Sequence, residues 1–302
     1  MSTKNIKNMA ASVRQKLLNK AKAENRPFNE LLQYYMMERF LYRLSNSPYA
    51  DNFILKGGLM LRVWNAPEIR PTMDIDMLGK IENSTEVIIK TMKDICVAEI
   101  EFSDGVIFDA ENITTEDITE DAEYLGVRIR IPAKLDTAVL KVQLDIGFGD
   151  AVYPEPKKYS IPVLLDFPAP GLLCYSKESS IAEKFEAMIK LGKLNSRMKD
   201  FYDIWMLASQ FDFNGEQLRN AVVWTFEKRE VEIPEKITAF SPEFIESKKV
   251  QWNAFRRKLK QIHVPEDIAD VILIIQKFLT PVIENMRSDK EMPENWHLGS
   301  WE

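Results

Sequence analysis

Two aspartates separated by one residue are the first candidates for chemistry in this chain. Asp74 and Asp76 lie in a run where polar and apolar residues alternate, as in a half-buried strand. Side chains two residues apart on a strand project from one face, so the two carboxylates should point together. Asp145, in the strand-like run Val142–Ile146, supplies a third carboxylate. Converging carboxylates bind divalent cations, and these three aspartates are therefore predicted to hold Mg²⁺, with two ions expected.

Such a cation site suits phosphoryl and nucleotidyl transfer, because the charge on the triphosphate and on the leaving pyrophosphate must be neutralised. Gly57-Gly58 follows a strand-like run and precedes a helix start, so backbone N–H groups there could approach phosphate oxygens. Lys56 and Arg62 could add cationic contacts to a bound triphosphate. A glycine pair alone is also typical of a tight turn, and both cations could equally be surface charges.

Two predicted helices carry the remaining candidates. Lys184 lies at the edge of an apolar stripe, from which a lysine can reach a phosphate. In the next helix Asp200 is assigned to nucleotide binding, and Asp203 either orients Lys184 or acts as a base toward the acceptor hydroxyl. The alternative is a Lys–Asp salt bridge between the helices with no catalytic duty.

The motifs resemble those of the AbiEii/AbiGii toxin family. The first motif corresponds to Leu55–Arg62 with Arg70–Asp76, and the second and third correspond to Ala182–Ala187 and Arg197–Ile204. The resemblance spans about residues 10 to 210, and Gly57-Gly58 stands where many polymerase β-like enzymes carry Gly-Ser. Family members are DNA polymerase β-like nucleotidyltransferases, include the MenT toxins, and act in type IV toxin–antitoxin or abortive-infection systems.

The resemblance implies a magnesium-dependent transferase that uses a nucleoside triphosphate and, in some members, modifies the acceptor end of tRNA. It also implies a cognate antitoxin as partner. Beyond about residue 215 no resemblance is visible, so the role of residues 215–302 and the choice of acceptor stay open.

The elements that must position these residues indicate an α+β fold: a polymerase β-like core with a mixed sheet, N-terminal helices and a C-terminal helical domain. Prolines between Pro154 and Pro170 mark the change from mixed strand and helix patterns to helical spacing. This change predicts a nucleotidyltransferase domain at 1–165 and a helical domain at 166–302. In the N-terminal part, apolar residues recur every fourth position from Leu32 to Leu44. The predicted helices of the second part are Ser179–Gly192, Ser196–Ser209, Gly215–Lys228, Pro242–Lys260 and Pro265–Met286.

Composition narrows the class of protein. The net charge of -6 argues against broad nucleic-acid coating, although basic clusters at 184–199 and 248–260 allow a local patch. Cys96 and Cys174 have no partner spacing, so neither a disulfide framework nor a zinc site is indicated. No apolar run approaches the length of a membrane span, and a cytoplasmic protein is expected.

The sequence favours a toxin that transfers a nucleoside monophosphate from a nucleoside triphosphate to RNA, with tRNA as the first acceptor, in toxin–antitoxin or phage defence. A protein or small-molecule acceptor is an alternative. So is a metal-dependent nuclease, although the segment after Asp145, Ile146–Asp150, lacks the lysine that such enzymes place there. A non-catalytic binding module would have no need for Asp74, Asp76 and Lys184 together.

Overall fold

A computed structural model describes residues 8–67, 70–119, 125–259, 263–288 and 290–302. The helices are α1 Met9–Ala23, α2 Phe28–Ser45, α3 Met60–Val63, α4 Thr85–Cys96, α5 Lys177–Leu191, α6 Met198–Gln210, α7 Gly215–Lys228, α8 Pro242–Leu259 and α9 Ile268–Ser288. The strands are β1 Phe53–Lys56, β2 Asp74–Gly79, β3 Val106–Phe108, β4 Thr114–Thr119, β5 Leu125–Leu135, β6 Ala138–Phe148, β7 Lys157–Ser160, β8 Gly171–Cys174, β9 Phe213–Asn214, β10 Asn295–His297 and β11 Ser300–Trp301. The predicted α+β class is confirmed.

The chain divides into two compact units. The first comprises Met1–Trp64, Thr72–Gly149 and Lys157–Cys174, and the second comprises Asn65–Pro71, Asp150–Pro156 and Tyr175–Glu302. This division differs from the predicted boundary after residue 165. The difference arises because β8 pairs with β1 and β7 pairs with β8, which keeps Lys157–Cys174 with the sheet.

The first unit is built on a mixed sheet with strand order β3-β5-β6-β2-β1-β8-β7, and β4 also pairs with β5. The central pair β2 and β6 is parallel, whereas β1 with β2 and β5 with β6 are antiparallel. A β-hairpin therefore joins β5 to β6, and β2 lies between β6 and β1. The strands that carry the predicted metal ligands are neighbours at the centre of this sheet.

Helix α2 anchors the core of the first unit. The spacing from Leu32 to Leu44 predicts one apolar stripe, yet α2 is buried on nearly every side from Leu31 to Leu41. Helices α1 and α4 complete the layer, and inward strand residues such as Ile75 and Ile129 pack in the same cluster. One face of the sheet thus carries the hydrophobic core of this unit.

The second unit is helical. Helix α6 packs against α9, and α5 packs against α7. Helix α5 begins two residues before the predicted Ser179, because the Ser176 hydroxyl accepts the Ser179 N–H and caps it. The predicted end of α8 at Lys260 lies outside the described residues. Among the described residues, the structure contains no helix with the length and apolarity that a membrane crossing requires.

Candidate functional site

The three predicted metal ligands come together in the first unit. Strands β2 and β6 run parallel with Asp76 opposite Asp145, and Asp74 lies two residues before Asp76 on the same face. One carboxylate oxygen from each aspartate lies within 4.8 Å of the others, and all three side chains are half-buried. The arrangement offers only oxygen ligands, as hard divalent cations require.

Two of these carboxylates are held in place by neighbouring side chains. The Thr72 hydroxyl donates to Oδ1 of Asp74 at 2.7 Å. Arg128, opposite Asp145 on β5, donates from Nε and Nη2 to the two oxygens of Asp145 at 2.8 and 2.7 Å. The hydrogen bond to Asp145 raises the pKa of Arg128 and outweighs the effect of its burial. Arg128 therefore stays charged and fixes the orientation of the Asp145 carboxylate.

The glycine turn lies directly against one of the metal ligands. Gly57 has a φ of +70°, and a Cβ atom added there would lie 1.8 Å from Oδ2 of Asp76. Only a residue without a side chain fits this position. The following segment forms a turn of 3₁₀ helix and then the four-residue α3, so the predicted helix start is too short to provide a strong helix dipole. Gly58 is buried in this turn.

Lys56 and Arg62, the basic residues on either side of the glycine turn, have different neighbours. Lys56 is the register partner of Asp76 across β1 and β2. The Arg62 guanidinium lies 4.3 Å from the centre of the Tyr34 ring. The Tyr34 hydroxyl in turn accepts the Thr72 N–H at 2.9 Å. Tyr34 thus connects Arg62 to the segment that leads into Asp74.

The second unit contains the other predicted residues in one buried ion network. Nζ of Lys184 lies 3.1 Å from Oδ1 of Asp200 and 2.8 Å from Oδ2 of Asp203. Arg70 donates from Nε and Nη2 to the two oxygens of Asp203 at 2.7 and 2.9 Å. Arg197 Nε donates to Oδ2 of Asp200 at 2.6 Å. Both aspartate side chains are 1% exposed, so every charge here has a partner of opposite sign.

The protonation states follow from this pairing. Burial raises the pKa of Asp203, but Arg70 and Lys184 outweigh it and hold that pKa at about 2. The pKa of Asp200 is also lowered, because Lys184 and Arg197 outweigh its burial. Burial lowers the pKa of Lys184, and the two aspartates more than offset that effect. All three groups are therefore charged near neutral pH.

Sequence reasoning missed two arginines that contact the predicted residues. Arg128 lies 17 positions from Asp145, and Arg70 lies 133 positions from Asp203. Alternation within β5 could have placed Arg128 on the polar face of its strand. The motif that includes Arg70 was recognised, but no local pattern indicates a partner so far along the chain.

Comparison with known proteins decides the family. The family model described as "Nucleotidyl transferase AbiEii toxin, Type IV TA system" matches residues 39–272, which is more than half of the chain. The chain belongs to the AbiEii family. The family predicted from the motifs is thus confirmed, and the match extends well beyond residue 210, where the visible resemblance ends.

The AbiEii match includes all the predicted site residues of both units, from Lys56 to Asp203. Comparison with solved structures gives two similar proteins. A presumed nucleotidyltransferase from H. pylori is 13% identical with a TM-score of 0.45, and the alignment covers 86% of this chain and 98% of that one. JHP933 from Helicobacter pylori has the same identity and TM-score, with 86% and 94% covered. Comparison with curated proteins gives no match.

Proposed function

We propose that this AbiEii family member is a toxin that transfers a nucleoside monophosphate from a nucleoside triphosphate to an RNA acceptor. The observation that carries the proposal is the convergence of Asp74, Asp76 and Asp145 beside the backbone of Gly57. tRNA is the acceptor to test first, because the family resemblance points to it. A toxin–antitoxin or phage-defence system is the proposed setting, with a cognate antitoxin as partner and the cytoplasm as the location.

The residues of the first unit fit magnesium ions, and we propose that two are bound. Each aspartate offers oxygen ligands, and a carboxylate has about four lone-pair positions. On Asp145, Arg128 donates to two of those positions, and the Gln143 amide lies 3.3 and 3.5 Å from the same two oxygens, so a cation would share the remaining positions with Gln143. Bound cations would neutralise the charge on the triphosphate and on the leaving pyrophosphate.

The protein's own groups supply the binding surface for the nucleotide. The absence of a side chain at Gly57 lets phosphate oxygens approach the backbone of the Gly57-Gly58 turn. Lys56 and Arg62 flank this turn and provide positive charge for the triphosphate. Thr72 and Arg128 keep the ligand carboxylates of Asp74 and Asp145 in fixed orientations. A preorganised site of this kind needs little rearrangement when the nucleotide binds.

Of the two roles considered for Asp203, orientation of Lys184 is favoured. Both oxygens of Asp203 accept bonds from cations, and a group with a pKa of about 2 is a poor base for an acceptor hydroxyl. We therefore assign Asp200 and Asp203 as positioning residues. The Lys184 ammonium has three donors, of which these aspartates engage two, so one is left for a phosphate oxygen.

Label transfer tests the proposed function. The full chain is incubated with Mg²⁺, each labelled nucleoside triphosphate in turn, and either total tRNA or total cell protein. We expect label in the tRNA, and we expect Asp76→Ala to lower the rate on the order of 1000-fold, because it removes a ligand of the proposed cations. Asp117→Ala, which removes an exposed aspartate on β4, is the matched control and should retain activity.

Each other outcome is informative. Label in protein would show that the acceptor is a protein and not RNA. RNA fragments without label would favour a metal-dependent nuclease. If every triphosphate stays intact with every acceptor, the proposed transferase activity is wrong. Equal activity of the Asp76→Ala variant and the parent chain would also contradict the proposed site.

A further inference from the structure

The sheet face that carries the aspartates continues along β5 and β6 beyond the metal ligands. Residues opposite each other on an antiparallel pair share a face, and steps of two residues keep to that face. Starting from the pair Arg128 and Asp145, the face continues through these opposed pairs: Arg130 with Gln143, Pro132 with Lys141, and Lys134 with Val139. Ile107 on β3 lies opposite Lys134 and extends the row. We refer to Ile107, Arg130, Lys134, Val139 and Lys141 as the basic strip.

The basic strip is not part of the hydrophobic core. The alternate residues of β5, such as Ile129 and Ile131, are fully buried on the opposite face. On the strip, Lys134 and Lys141 are exposed, and Ile107 and Val139 are 67% and 64% exposed. Exposed apolar residues beside lysines, on a sheet surface, are typical of a contact surface.

The charge of the strip comes from its lysines. Arg130 is paired with Glu116 at 2.8 Å, so its charge is largely compensated. Lys134 and Lys141 form no ion pair with any carboxylate in the described part of the chain. In a chain of net charge -6, Lys134 and Lys141 make a local positive patch at the end of this face that lies away from the aspartates.

The basic clusters visible in the sequence lie in the second unit, whereas the basic strip lies on the strands next to the aspartates. Lys184 and Arg197 of the first cluster are engaged by Asp200. Lys248 of the second cluster is 6% exposed and donates to the Lys193 carbonyl at 3.0 Å. Part of that charge is therefore used inside the second unit, where Lys193, Lys199, Arg257 and Lys258 remain exposed.

Spacing along the strands places the two lysines of the basic strip at different distances from Asp145. Lys141 is four residues from Asp145 on β6, which corresponds to about 13 Å. Lys134 lies opposite Val139, six residues from Asp145, which corresponds to about 20 Å. Positive charges at increasing distance from the proposed reaction site suit a chain of phosphates that leads away from its reacting end.

We propose that the basic strip binds the backbone of the RNA acceptor behind its reacting end, with Lys141 contacting the nearer phosphates and Lys134 the more distant ones. Ile107 and Val139 provide apolar contact for sugars and bases. The inference rests on the proposed function, because the reacting end is placed at the aspartates. RNA fits this surface because it carries one negative charge per nucleotide at regular steps, and neutralising it releases counterions.

Charge reversal tests the strip. Fluorescence anisotropy would measure binding of labelled tRNA to the full chain and to Lys134→Glu/Lys141→Glu over a range of salt concentrations. We expect the dissociation constant to rise on the order of tenfold, and the salt slope to fall by about 0.7 for each lysine in a single-stranded contact. Lys16→Glu/Lys22→Glu, on exposed positions of α1 with the same change of net charge, is the control and should bind as the parent chain does. Helix α1 packs with the core, on the other face of the sheet.

Acceptors shortened nucleotide by nucleotide from the end opposite the reacting one provide the second measurement. The effect of Lys134→Glu alone should vanish at a greater length than the effect of Lys141→Glu alone. Equal binding by the strip variant and the parent chain, or equal loss in the α1 control, would overturn the proposal. Nucleotide binding in the presence of Mg²⁺ is measured separately, so a failure of the transferase assignment is distinguishable from a failure of the strip. Lys134→Ala/Lys141→Ala repeats the test if charge reversal impairs folding.

Discussion

At the scale of single residues, the candidate site depends on the close approach of a backbone turn to a carboxylate. Gly57 combines a positive φ with contact to the Asp76 side chain, so two constraints act on one position. Strain from the positive φ and steric conflict with Asp76 can be separated, because Gly149 has a φ of +80° with nothing within 4 Å of an added Cβ. The two glycines form a matched pair.

Gly57→Ala should abolish most of the transfer activity, because the new Cβ atom displaces the Asp76 carboxylate from the other two aspartates. Gly149→Ala should retain activity while sharing the backbone strain, which costs about 1 kcal/mol in each variant. Rates of label transfer and unfolding in urea are measured for both variants. Similar losses of activity would show that Gly57 matters only for its backbone conformation.

Single residues also show how much of the candidate site could be predicted from the sequence. Alternation around Asp74 and Asp76 predicts a shared face, and the strand register places Asp145 beside them. Alternation within a strand does not predict which other strand pairs with it. The contact between Arg128 and Asp145 is therefore visible only in the structure. Local sequence patterns predict which face of the sheet a side chain occupies, but not which residue lies opposite it on the neighbouring strand.

At the scale of elements, the network around Lys184 is made by α5, α6 and the segment Asn65–Pro71 of the second unit. Arg70 and Lys184 both depend on Asp203 for a counter-charge, and both are mostly buried. Removal of one charge from such a network leaves the others uncompensated in a low dielectric. The network therefore contributes to the stability of the helical unit as well as to the orientation of Lys184.

Asp203→Asn should lower the free energy of unfolding at pH 7 by about 3–5 kcal/mol, because Arg70 and Lys184 lose a buried partner. The folded pKa of Asp203, about 2, lies below the ordinary value of 3.8, so its contribution is present above about pH 4 and disappears as the pH falls toward 2. The difference in stability between the variant and the parent chain should thus shrink in acid. Urea unfolding at pH 7 and at pH 2 measures this.

The control for that prediction is Asp212→Asn, which removes an exposed carboxylate that contacts His297 in the same unit. Exposed pairs contribute little, so the loss should stay below about 1 kcal/mol. A comparable loss in both variants would contradict the role given to burial.

Elements with a strong pattern were predictable, whereas short ones were not. The strand around Asp145 follows from the sequence, although β6 is longer than the predicted run Val142–Ile146. Strands β7 and β8 have four residues each and were missed, because pairing with β1 and with each other defines them. The predicted helix after Gly58 is only the four-residue α3.

At the scale of the whole molecule, distant parts of the sequence complete each unit. The last residues of the chain return to the helical unit, where β10 pairs with β9, about 80 positions earlier. Trp296 is fully buried there, donates from its indole N–H to the Ala208 carbonyl at 2.7 Å and packs edge-on against Phe278. The sequence around Trp296 is mostly polar and does not indicate where the tryptophan packs, because its contacts are with Ala208 and Phe278.

Trp296→Ala should destabilise the helical unit by about 3–5 kcal/mol, because it leaves a cavity beside Phe278 and an unpaired carbonyl at Ala208. Trp224→Ala is the matched control, since Trp224 is 48% exposed and its removal opens no enclosed cavity. Guanidinium unfolding, followed by far-ultraviolet circular dichroism, compares the two variants with the parent chain. If both tryptophans prove equally dispensable, the C-terminal strands do not hold the helical unit together, and its stability comes from α5 to α9 alone.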